Sequence, residues 1–561
     1  MKSMKTYLHG LLVILILASV LVIAACGGGG GSDNPETEKE TPATGISLDI
    51  TEATIPIGGT KQLTATVTPD NVTDRTVTWT SSNTSVATVS DDGLVTAVTV
   101  GDATITASVA GGAYTAQCAL VVRELEAVIT KLSDVEIDSD SAWVIFNNML
   151  YFAGYDDDHG RELWKSDGTE AGTVMVKDIQ NGTLSSQPSN FAVVGDLVYF
   201  RASDGIHGSE LWKTDGTESG TVMVKDIVNG SDSSLSYYSY MTAVGEKVYF
   251  VAKDGTHGYE LWKSDGTEDG TVMVKDINNG NDDSYTKDCI AVGDLLYFIA
   301  TDGANGHELW KSDGTEAGTV MVKDIYYGVS SSNATGFAVV GNTIFFQAED
   351  GTNGRELWKS DGTESGTFMV KDIYSGTSSS SPNYITTIDT VVYFRASDQT
   401  NGSELWKSDG TEAGTVMVKN INTGGTSNPS PNSLTVVGNM LYFIAEEGTH
   451  GEELWKSDGT ESGTVLVKDI NSGSNFSNLY GLTAAGDTLY FSADDGVHGY
   501  ELWKSDGTEA GTVMVKDLFT TDGYDSNYSK ITESNGNIFF LADETLSHTG
   551  YDLNLYVLTW E

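Results

Sequence analysis

The sequence contains few cysteines, few prolines and few basic residues. Its 561 residues include 3 Cys and 8 Pro, and 31 Lys and Arg stand against 79 Asp and Glu, a formal charge of −48. Two isolated cysteines, Cys118 and Cys289, make no disulfide framework, and we expect both to be small buried residues. The acidic balance disfavours nucleic acid and anionic lipid headgroups as partners.

Familiar catalytic and metal-binding motifs are also missing. The sequence has no Cys-x-x-Cys, no His-Glu-x-x-His, and no Gly-rich phosphate loop between a strand and a helix. A designed Ca²⁺ site needs about six to eight converging oxygens, and no Asp-x-Asp-x-Asp-Gly run supplies them. We therefore expect no resident cofactor or metal site, although the acidic surface could attract Ca²⁺ weakly.

The chain is instead long, rich in glycine and repetitive. A length of 561 residues exceeds what one hydrophobic core supports, so several domains or an array are expected. The 63 glycines suit many tight turns, and contents of 39% hydrophobic and 9% aromatic residues are enough to build ordered cores. This composition favours an ordered β-protein.

Residues 1–25 have the features of a lipoprotein signal peptide. Lys2 and Lys5 precede an apolar run at 11–25 that is too short for a comfortable membrane span. Residues 23–26, Ile-Ala-Ala-Cys, resemble a bacterial lipobox, which implies that Cys26 carries the lipid. An ordinary secretory signal is the alternative. The resemblance implies a lipid-anchored protein of the bacterial cell envelope that contacts the membrane through its anchor only.

Residues 26–43 are Gly-rich and then acidic, which is typical of a flexible tether. In a Gram-negative host, the glycine after Cys26 favours the outer membrane or the cell surface.

Residues 44–123 alternate apolar and polar side chains between turn signals, the pattern of a small β-sandwich. The segments 77–83, 93–97 and 101–107 resemble the bacterial Ig-like group 2 domain. The resemblance implies a spacer or adhesive module. Trp79 is predicted to anchor its core.

A twelve-residue phrase, Glu-Leu-Trp-Lys-Ser-Asp-Gly-Thr-Glu-Ala-Gly-Thr, begins at Glu162 and returns with small changes. Its tryptophans follow one another at intervals of 48 to 50 residues: Trp164, Trp212, Trp262, Trp310, Trp358, Trp406, Trp455 and Trp503. A fixed period of this size indicates stacked or radially arranged units. The phrase resembles the ELWxxDGT repeat family of bacterial surface proteins. That resemblance implies an envelope protein and carries no activity with it.

One period, residues 189–230, contains four short strand patterns separated by turns. Four strands per period are the unit of a β-propeller blade, so residues 124–561 are predicted to form a closed all-β propeller. Three further strands in 528–560 and a lone strand at 127–132 would together make one more sheet and cover exposed edges. This gives nine sheets. The alternative is eight blades, with these extra strands placed at the junction between the first and the last blade.

Three repeated features are interpreted structurally. Each repeat tryptophan should fill the core between neighbouring blades. The Asp and Gly of each Asp-Gly-Thr connection should serve the turn. The histidine three positions before each repeat glutamate is replaced in three copies by Asn305, Asn353 and Asn401. Because asparagine is a poor transition-metal ligand, these histidines are predicted to be turn residues.

The segments between repeats differ in every copy and are rich in Ser, Asn, Gly and Tyr. This composition is typical of recognition loops, and also of solvated connections. Because turns alternate along a meander, these segments should share one end of the strands with the histidine turns. A glycan or protein ligand is predicted at that end, near Tyr237, Tyr238, Tyr240, Tyr285, Tyr326, Tyr327, Tyr374 and Tyr384.

Three functions remain open from the sequence. The favoured hypothesis is a cell-surface lipoprotein whose propeller is a non-catalytic binding or adhesion platform. Near-identical blades count against catalysis, because an active site gathers unlike groups at one place. A surface glycan hydrolase or lyase would need a unique acid cluster in one blade. A purely structural envelope protein is the third possibility.

Overall fold

The structure, a computed structural model, describes residues 41–138, 141–237, 239–421, 429–517, 529–542 and 553–560. The chain divides into two compact units, residues 1–125 and 126–561. Helix in the described ranges is limited to one 3₁₀ turn, Ala110–Gly112. None of the described residues form a helix long and apolar enough to cross a membrane.

The first unit is a small all-β domain. The strands are β1 (Gly45–Leu48), β2 (Glu52–Pro56), β3 (Thr60–Gln62), β4 (Ala65–Thr68), β5 (Thr78–Ser81), β6 (Ala87–Val89), β7 (Leu94–Ala97), β8 (Gly101–Val109) and β9 (Tyr114–Arg123). Strands β2, β9, β8 and β5 form one sheet, β3, β7 and β6 form a second, and β1 pairs with β4. The core cluster includes Ile105 and Cys118, and Trp79 packs against it as predicted.

The second unit is a propeller-like series of four-stranded antiparallel modules. It opens with a long strand, β10 (Ala127–Ile137). Module 1 follows and consists of β11 (Trp143–Phe146), β12 (Met149–Asp156), β13 (Gly160–Ser166) and β14 (Val174–Lys177). In module 1 each strand pairs with the next along the chain.

Modules 2 to 8 repeat this meander. Their strands are, in module 2, β15 (Ser189–Val194), β16 (Leu197–Ser203), β17 (Ser209–Thr214) and β18 (Val222–Lys225); in module 3, β19 (Met241–Val244), β20 (Lys247–Ala252), β21 (Glu260–Ser264) and β22 (Val272–Lys275); in module 4, β23 (Lys287–Val292), β24 (Leu295–Ala300), β25 (Glu308–Ser312) and β26 (Val320–Lys323); in module 5, β27 (Thr335–Val340), β28 (Thr343–Glu349), β29 (Arg355–Ser360) and β30 (Phe368–Lys371); in module 6, β31 (Asn383–Ile388), β32 (Val391–Asp398), β33 (Gly402–Ser408) and β34 (Val416–Lys419); in module 7, β35 (Asn432–Val437), β36 (Met440–Glu447), β37 (Gly451–Ser457) and β38 (Val465–Lys468); and in module 8, β39 (Tyr480–Ala485), β40 (Thr488–Asp494), β41 (Tyr500–Ser505) and β42 (Val513–Lys516).

The last three strands are β43 (Ser529–Ser534), β44 (Asn537–Ala542) and β45 (Leu553–Trp560). Strand β45 pairs with β10, from Ala127 opposite Trp560 to Lys131 opposite Tyr556. We call these four strands module 9. The lone strand predicted at 127–132 therefore completes the final three. Strand β10 continues to Ile137 and meets β12 through one pair, Glu136 and Tyr155, so modules 1 and 9 belong to one eight-stranded sheet.

The core of this unit lies between consecutive modules. One cluster joins Tyr199 and Leu211 of module 2 to Phe250 and Trp262 of module 3. Another joins module 9 to module 1 and includes Phe152 of module 1 and Phe539, Leu541 and Leu555 of module 9.

The repeat tryptophans belong to this core, as predicted. Seven of them are 5 to 7% exposed, and Trp164 is partly buried. The cysteine prediction holds only in part. Cys118 is fully buried, but Cys289 is partly buried at the edge of the cluster between modules 3 and 4.

Repeated polar contacts also link each module to the next. Lys213 Nζ donates to the Gly266 carbonyl at 2.8 Å, and Lys275 Nζ donates to the Thr319 carbonyl at 2.9 Å. Gly266 has φ +87°, and a Cβ there would lie 2.4 Å from the Tyr199 hydroxyl. Glycine is therefore required at this turn both by its backbone and by the neighbouring module.

Candidate functional site

The strand ends of each module form two different surfaces. The hairpin at Gly195 and the Asp-Gly-Thr turn at Asp215 lie at one end, which we call the uniform end. The histidine turn and the inter-module segments lie at the other, the varied end. In module 2 the segment is bound to the strand after the histidine turn, since the Ser209 amide donates to Ser233 Oγ at 2.9 Å. This is the arrangement that the alternation of turns predicts.

At the uniform end, hydrogen bonds within each Asp-Gly-Thr turn hold its aspartate in place. The Asp215 carboxylate accepts the Thr217 amide at 2.8 Å and the Thr217 hydroxyl at 2.7 Å. These hydrogen bonds, the side-chain one first, hold the pKa of Asp215 below its usual value. Beneath the turn, the buried hydroxyl groups of Thr214 and Thr221 form a hydrogen bond of 2.7 Å. The turn interpretation of these aspartates is confirmed.

The histidines are also turn residues, as predicted. The His207 amide donates to Asp204 Oδ1 at 2.9 Å, and its Nδ1 lies 2.7 Å from Asp204 Oδ2. Asn353 makes the same two contacts to Asp350, at 2.9 and 2.7 Å. Asparagine thus replaces histidine contact for contact. The described residues contain no group of three or more His, Cys, Asp or Glu side chains suited to a metal.

The repeat glutamate has a role that the sequence analysis did not assign. All eight copies are 0% exposed. The Glu210 carboxylate accepts the Ile227 amide at 3.1 Å and the Ser234 amide at 3.0 Å, together with the Ser234 hydroxyl. It therefore holds the segment that links modules 2 and 3 at two points, near its start at Ile227 and midway at Ser234. We call this arrangement the glutamate clamp.

Burial has the largest effect on the pKa of the clamp glutamates. It raises the pKa to about 7 in Glu210, Glu260, Glu308 and Glu453, against the hydrogen bonds that favour ionisation.

The sequence contained a signal of the glutamate clamp, because a serine follows the glutamate by 24 residues in most copies, as Ser234 follows Glu210. Where the structure describes them, the clamps anchor variable segments to a repeated frame and place unlike residues at fixed positions of the varied end.

The predicted tyrosines lie at this varied end, where the structure describes them. Tyr237 and Tyr240 precede β19, and Tyr285 precedes β23. The others follow β26 or β30 or lie in β31: Tyr326, Tyr327, Tyr374 and Tyr384. Tyr238 and Cys26 lie outside the described residues.

The structure brings three of these tyrosines together at two adjoining cavities. The first, about 350 Å³, is lined by Arg161, Gln187, Ser189, Tyr237 and Tyr240, among others. The second, about 480 Å³, is lined by Tyr240, Tyr259, Tyr285, Lys287 and His307, among others. Tyr240 borders both, so we call the pair the Tyr240 groove. It runs across modules 1 to 4.

The remaining four tyrosines do not line this groove. Tyr327 is 90% exposed. Tyr326 packs against the turn at Gly351, where a Cβ would lie 2.6 Å from its ring. The Arg395 guanidinium lies 4.9 Å from the Tyr384 ring centre. These tyrosines are separate features of the varied end.

The groove residues that were missed from the sequence include Arg161, Tyr259, Lys287 and His307. Arg161, Tyr259 and His307 each stand directly before a repeat glutamate. That position varies among Arg, Ser, Tyr, His and Glu, although the three residues after it never change. A varied position beside an invariant motif was the available signal.

The groove carries positive charge and aromatic faces. Arg161 Nη2 donates to Asp138 Oδ1 at 2.9 Å, and Lys253 Nζ lies 5.3 Å from the Tyr259 ring centre. The Tyr285 and His307 rings meet edge to face at 5.6 Å. Burial, aided by Lys287, lowers the pKa of His307, so this imidazole is neutral near pH 7.

Comparison with solved structures gives likenesses at low similarity. The β-propeller domain of the Trilobed protease from Pyrococcus furiosus matches with TM-score 0.30 and 13% identity, covering 58% of this chain and 96% of that one. A puromycin hydrolase matches with TM-score 0.32 and 14% identity, covering 65% and 59%. At TM-scores below 0.5 these likenesses establish neither the fold nor the activity of this chain.

Sequence comparison finds similar segments in larger proteins. An α-L-arabinofuranosidase of Bifidobacterium longum is 44% identical over 126 residues, 22% of this chain and 12% of that protein. A lacto-N-biosidase of Bifidobacterium bifidum is 42% identical over 85 residues, 14% and 8%. An uncharacterised protein of Clostridium acetobutylicum is 39% identical over 95 residues, 16% and 10%. The chain thus spans about a tenth of the length of these relatives.

One part of the chain matches a defined family. Residues 42–120 match the bacterial Ig-like domain (group 2). The match confirms the resemblance inferred from the segments around Trp79, and this portion of the chain is a bacterial Ig-like domain.

Proposed function

We propose that this chain is a cell-envelope lipoprotein whose second unit is a non-catalytic platform for binding glycans. The Tyr240 groove carries this proposal. It gathers unlike side chains, among them Tyr240, Tyr285 and Arg161, on a frame that otherwise repeats the same residues. Concave sites with aromatic walls and a few placed polar groups are the usual form of small-molecule sites.

The frame that we propose is a closed propeller of nine blades. Three observations support closure. Strand β10 completes the sheet of β43 to β45, a hydrophobic cluster joins module 9 to module 1, and Lys530 Nζ donates to the Ser141 carbonyl. A closed ring would leave no strand edge of a first or last blade facing solvent.

Binding is favoured over catalysis by the state of the acids in the groove. The Asp138 carboxylate is engaged by Arg161 at 2.9 Å, and Asp283 Oδ1 accepts the Tyr259 amide at 2.8 Å. Hydrolysis of a glycosidic bond generally uses a pair of carboxyl groups, one on each side of the bond. Two acids that are each held by a structural contact suit that chemistry poorly.

A glycan is favoured over a protein by the shape of the site. Two adjoining concave sites of about 350 and 480 Å³ suit short, compact ligands better than they suit the broad contact area of a protein partner. Two of the similar proteins are named as glycosidases, an α-L-arabinofuranosidase and a lacto-N-biosidase. Their short matches are consistent with a protein that works near glycans.

The binding proposal is tested by a glycan array probed with the two units together. Tyr240→Ala should abolish binding to the arrayed glycans, since Tyr240 borders both cavities. Tyr327→Ala is the matched control, because Tyr327 is 90% exposed and lines neither cavity. Equal losses in both variants, or no glycan bound by the unaltered protein, would contradict the proposal.

We also propose that the chain belongs to the ELWxxDGT repeat proteins and is anchored by lipid on Cys26, in the outer membrane or at the cell surface. The sequence of residues 23–26 supports lipidation. Cys26→Ser should shift the protein from the detergent phase to the aqueous phase after expression in a bacterial host. Unchanged partitioning of the variant would show that the anchor is not at this residue.

A further inference from the structure

The segment between modules 2 and 3 is longer than its counterparts. The repeat tryptophans of these two modules are 50 residues apart, whereas most other intervals are 48. The extra length lies after the glutamate clamp. Gly245, at the first hairpin of module 3, follows the clamp serine Ser234 by 11 residues. In module 4 the matching glycine, Gly293, follows Ser284 by 9. The repeat therefore carries a two-residue insertion within 235–244.

The insertion forms a turn that carries tyrosines of the groove. The Ser236 amide donates to Ser239 Oγ at 3.0 Å, and the Ser239 amide donates to the Ser236 carbonyl at 3.2 Å. The Tyr237 carbonyl in this turn accepts Asn190 Nδ2 of module 2 at 3.1 Å. Tyr240 directly follows the turn. Strand β19 has four residues where β15 and β23 have six, so the turn replaces the start of the first strand of module 3.

The tyrosine side chains of the groove are accessible to a ligand. Tyr237 is 56% exposed, Tyr240 is 44% exposed and Tyr285 is 60% exposed. Tyr237 lines the first cavity, Tyr285 lines the second, and Tyr240 lines both. Aromatic side chains in a concave site offer a large apolar area together with a polar end. A ligand that contacts all three tyrosines must extend across both cavities.

The lining of the groove carries no net charge. The first cavity has one base and one acid, Arg161 and Asp138, which form an ion pair at 2.9 Å. The second has Lys287 and Asp283, beside the neutral His307. A charged ligand would lose its hydration here without gaining an uncompensated partner. The formal charge of −48 on the whole chain also repels acidic polymers. The groove therefore favours a neutral ligand.

We propose that the Tyr240 groove binds a linear neutral oligosaccharide whose consecutive sugars contact Tyr237, Tyr240 and Tyr285. This inference rests on the proposed glycan-binding function and names its ligand class. A sugar ring has an apolar face that packs on an aromatic side chain and hydroxyl groups at its edge. The exposed Gln187 amide, which lines the first cavity, suits such hydroxyl groups because it both donates and accepts hydrogen bonds.

The test is calorimetric titration of the full chain with neutral oligosaccharides, from single sugars to hexamers, of the glucose, mannose, galactose and xylose series. We expect at least one series to gain at least about tenfold in affinity from the single sugar to the trimer. Trimers of glucuronic and galacturonic acid should bind more weakly than their neutral counterparts. Equal affinity of single sugar and trimer in every series, tighter binding of an acid trimer, or no neutral trimer bound at about 1 mM would overturn the inference.

Paired variants locate the two ends of the ligand. Tyr237→Ala and Tyr285→Ala should each weaken trimer binding about tenfold and abolish the gain with chain length, because each removes the contact in one cavity. Tyr327→Ala is the matched control, since this exposed tyrosine of another segment lines neither cavity. Unchanged melting curves would show that the variants fold. Equal losses in all three variants would refute the assignment.

A deletion tests the insertion itself. Removal of residues 237 and 238 restores the spacing found in module 4. The shortened protein should therefore keep its melting midpoint and lose trimer binding. Trimer binding that survives the deletion would contradict the role of the inserted turn. If the shortened chain does not fold, the point substitutions decide the question.

The two proposals can fail separately. If arrayed glycans bind in a Tyr240-dependent manner but affinity does not depend on chain length, the extended ligand is wrong and the glycan platform stands. If no glycan binds at all, both are wrong.

Discussion

At the scale of single residues, the most consequential group is the buried carboxyl of the glutamate clamp. Burial raises the pKa of Glu260 from its ordinary value of 4.5 to about 7, although the Ile277 amide donates to it at 2.8 Å. The native carboxyl therefore holds its proton more tightly than the unfolded one does. Its contribution to the free energy of unfolding is full below about pH 4.5 and is lost as the pH rises to about 7.

This sign predicts a protein that becomes more stable on mild acidification. The midpoint of thermal unfolding should rise as the pH is lowered from about 8 to about 5, and the clamps at Glu210, Glu260, Glu308 and Glu453 should each contribute up to about 3 kcal/mol. The raised pKa of His207, paired with Asp204, acts in the same direction, whereas the lowered pKa of Asp204 acts only in stronger acid. Melting curves across this pH range measure the effect.

Glu260→Gln should reduce the pH dependence of the melting midpoint by the contribution of one clamp, because glutamine does not titrate. Glu268→Gln is a suitable control, since Glu268 lies on the exposed Asp-Gly-Thr connection of the same module. A melting midpoint that rises with pH between about 5 and 8 would contradict the prediction.

Residue roles were predictable where they depend on local chemistry. Asp215 and His207 bond to their own turns, and comparison of copies identified both. The role of Glu210 was missed because its partner Ser234 lies 24 residues away and meets it only through the fold. The groove at Arg161 and His307 was missed because it combines four modules.

At the scale of elements, strand patterns and a fixed period predicted the four-stranded module, because each short strand buries one face against the next module. The extent of β10 was not predicted. The expected strand ended at Leu132, but β10 continues to Ile137 through a register shift between Lys131 and Glu136. The shift accommodates Ser133 and Asp134, which interrupt the apolar pattern, and Val135 and Ile137 are buried beyond it.

The inter-module core makes a direct prediction for the repeat tryptophan. Trp310 is 5% exposed and packs with Tyr249 and Leu261 of the preceding module. Trp310→Ala should reduce the free energy of unfolding by about 3–5 kcal/mol, and Trp310→Phe by less. Denaturant unfolding measures the loss, which could be confined to neighbouring modules. A normal unfolding curve combined with lost ligand binding would instead assign the indole to the site.

At the scale of the whole molecule, stability and function depend on how the two ends of the second unit meet. An open series of modules would expose the hydrophobic faces of its first and last members. Phe152 and Phe539 are each 0% exposed in one shared cluster, so modules 1 and 9 bury these faces against each other. The first cavity lies close to this junction, because Asp138 and Ser141 of its lining stand between β10 and β11.

Cross-linking tests whether the ends are joined in solution. Val128 lies opposite Thr559, and Ala127 lies opposite Trp560, across β10 and β45. Opposite pairs alternate between narrow and wide spacing, so one of the two cysteine pairs should suit a disulfide. Oxidation of that double variant should give an intramolecular disulfide. The disulfide should raise the free energy of unfolding by about 2–4 kcal/mol, because it closes a loop of several hundred residues. Each single-cysteine variant controls for the substitutions themselves. If neither pair forms the bond, or if only intermolecular disulfides appear, the closed ring is contradicted.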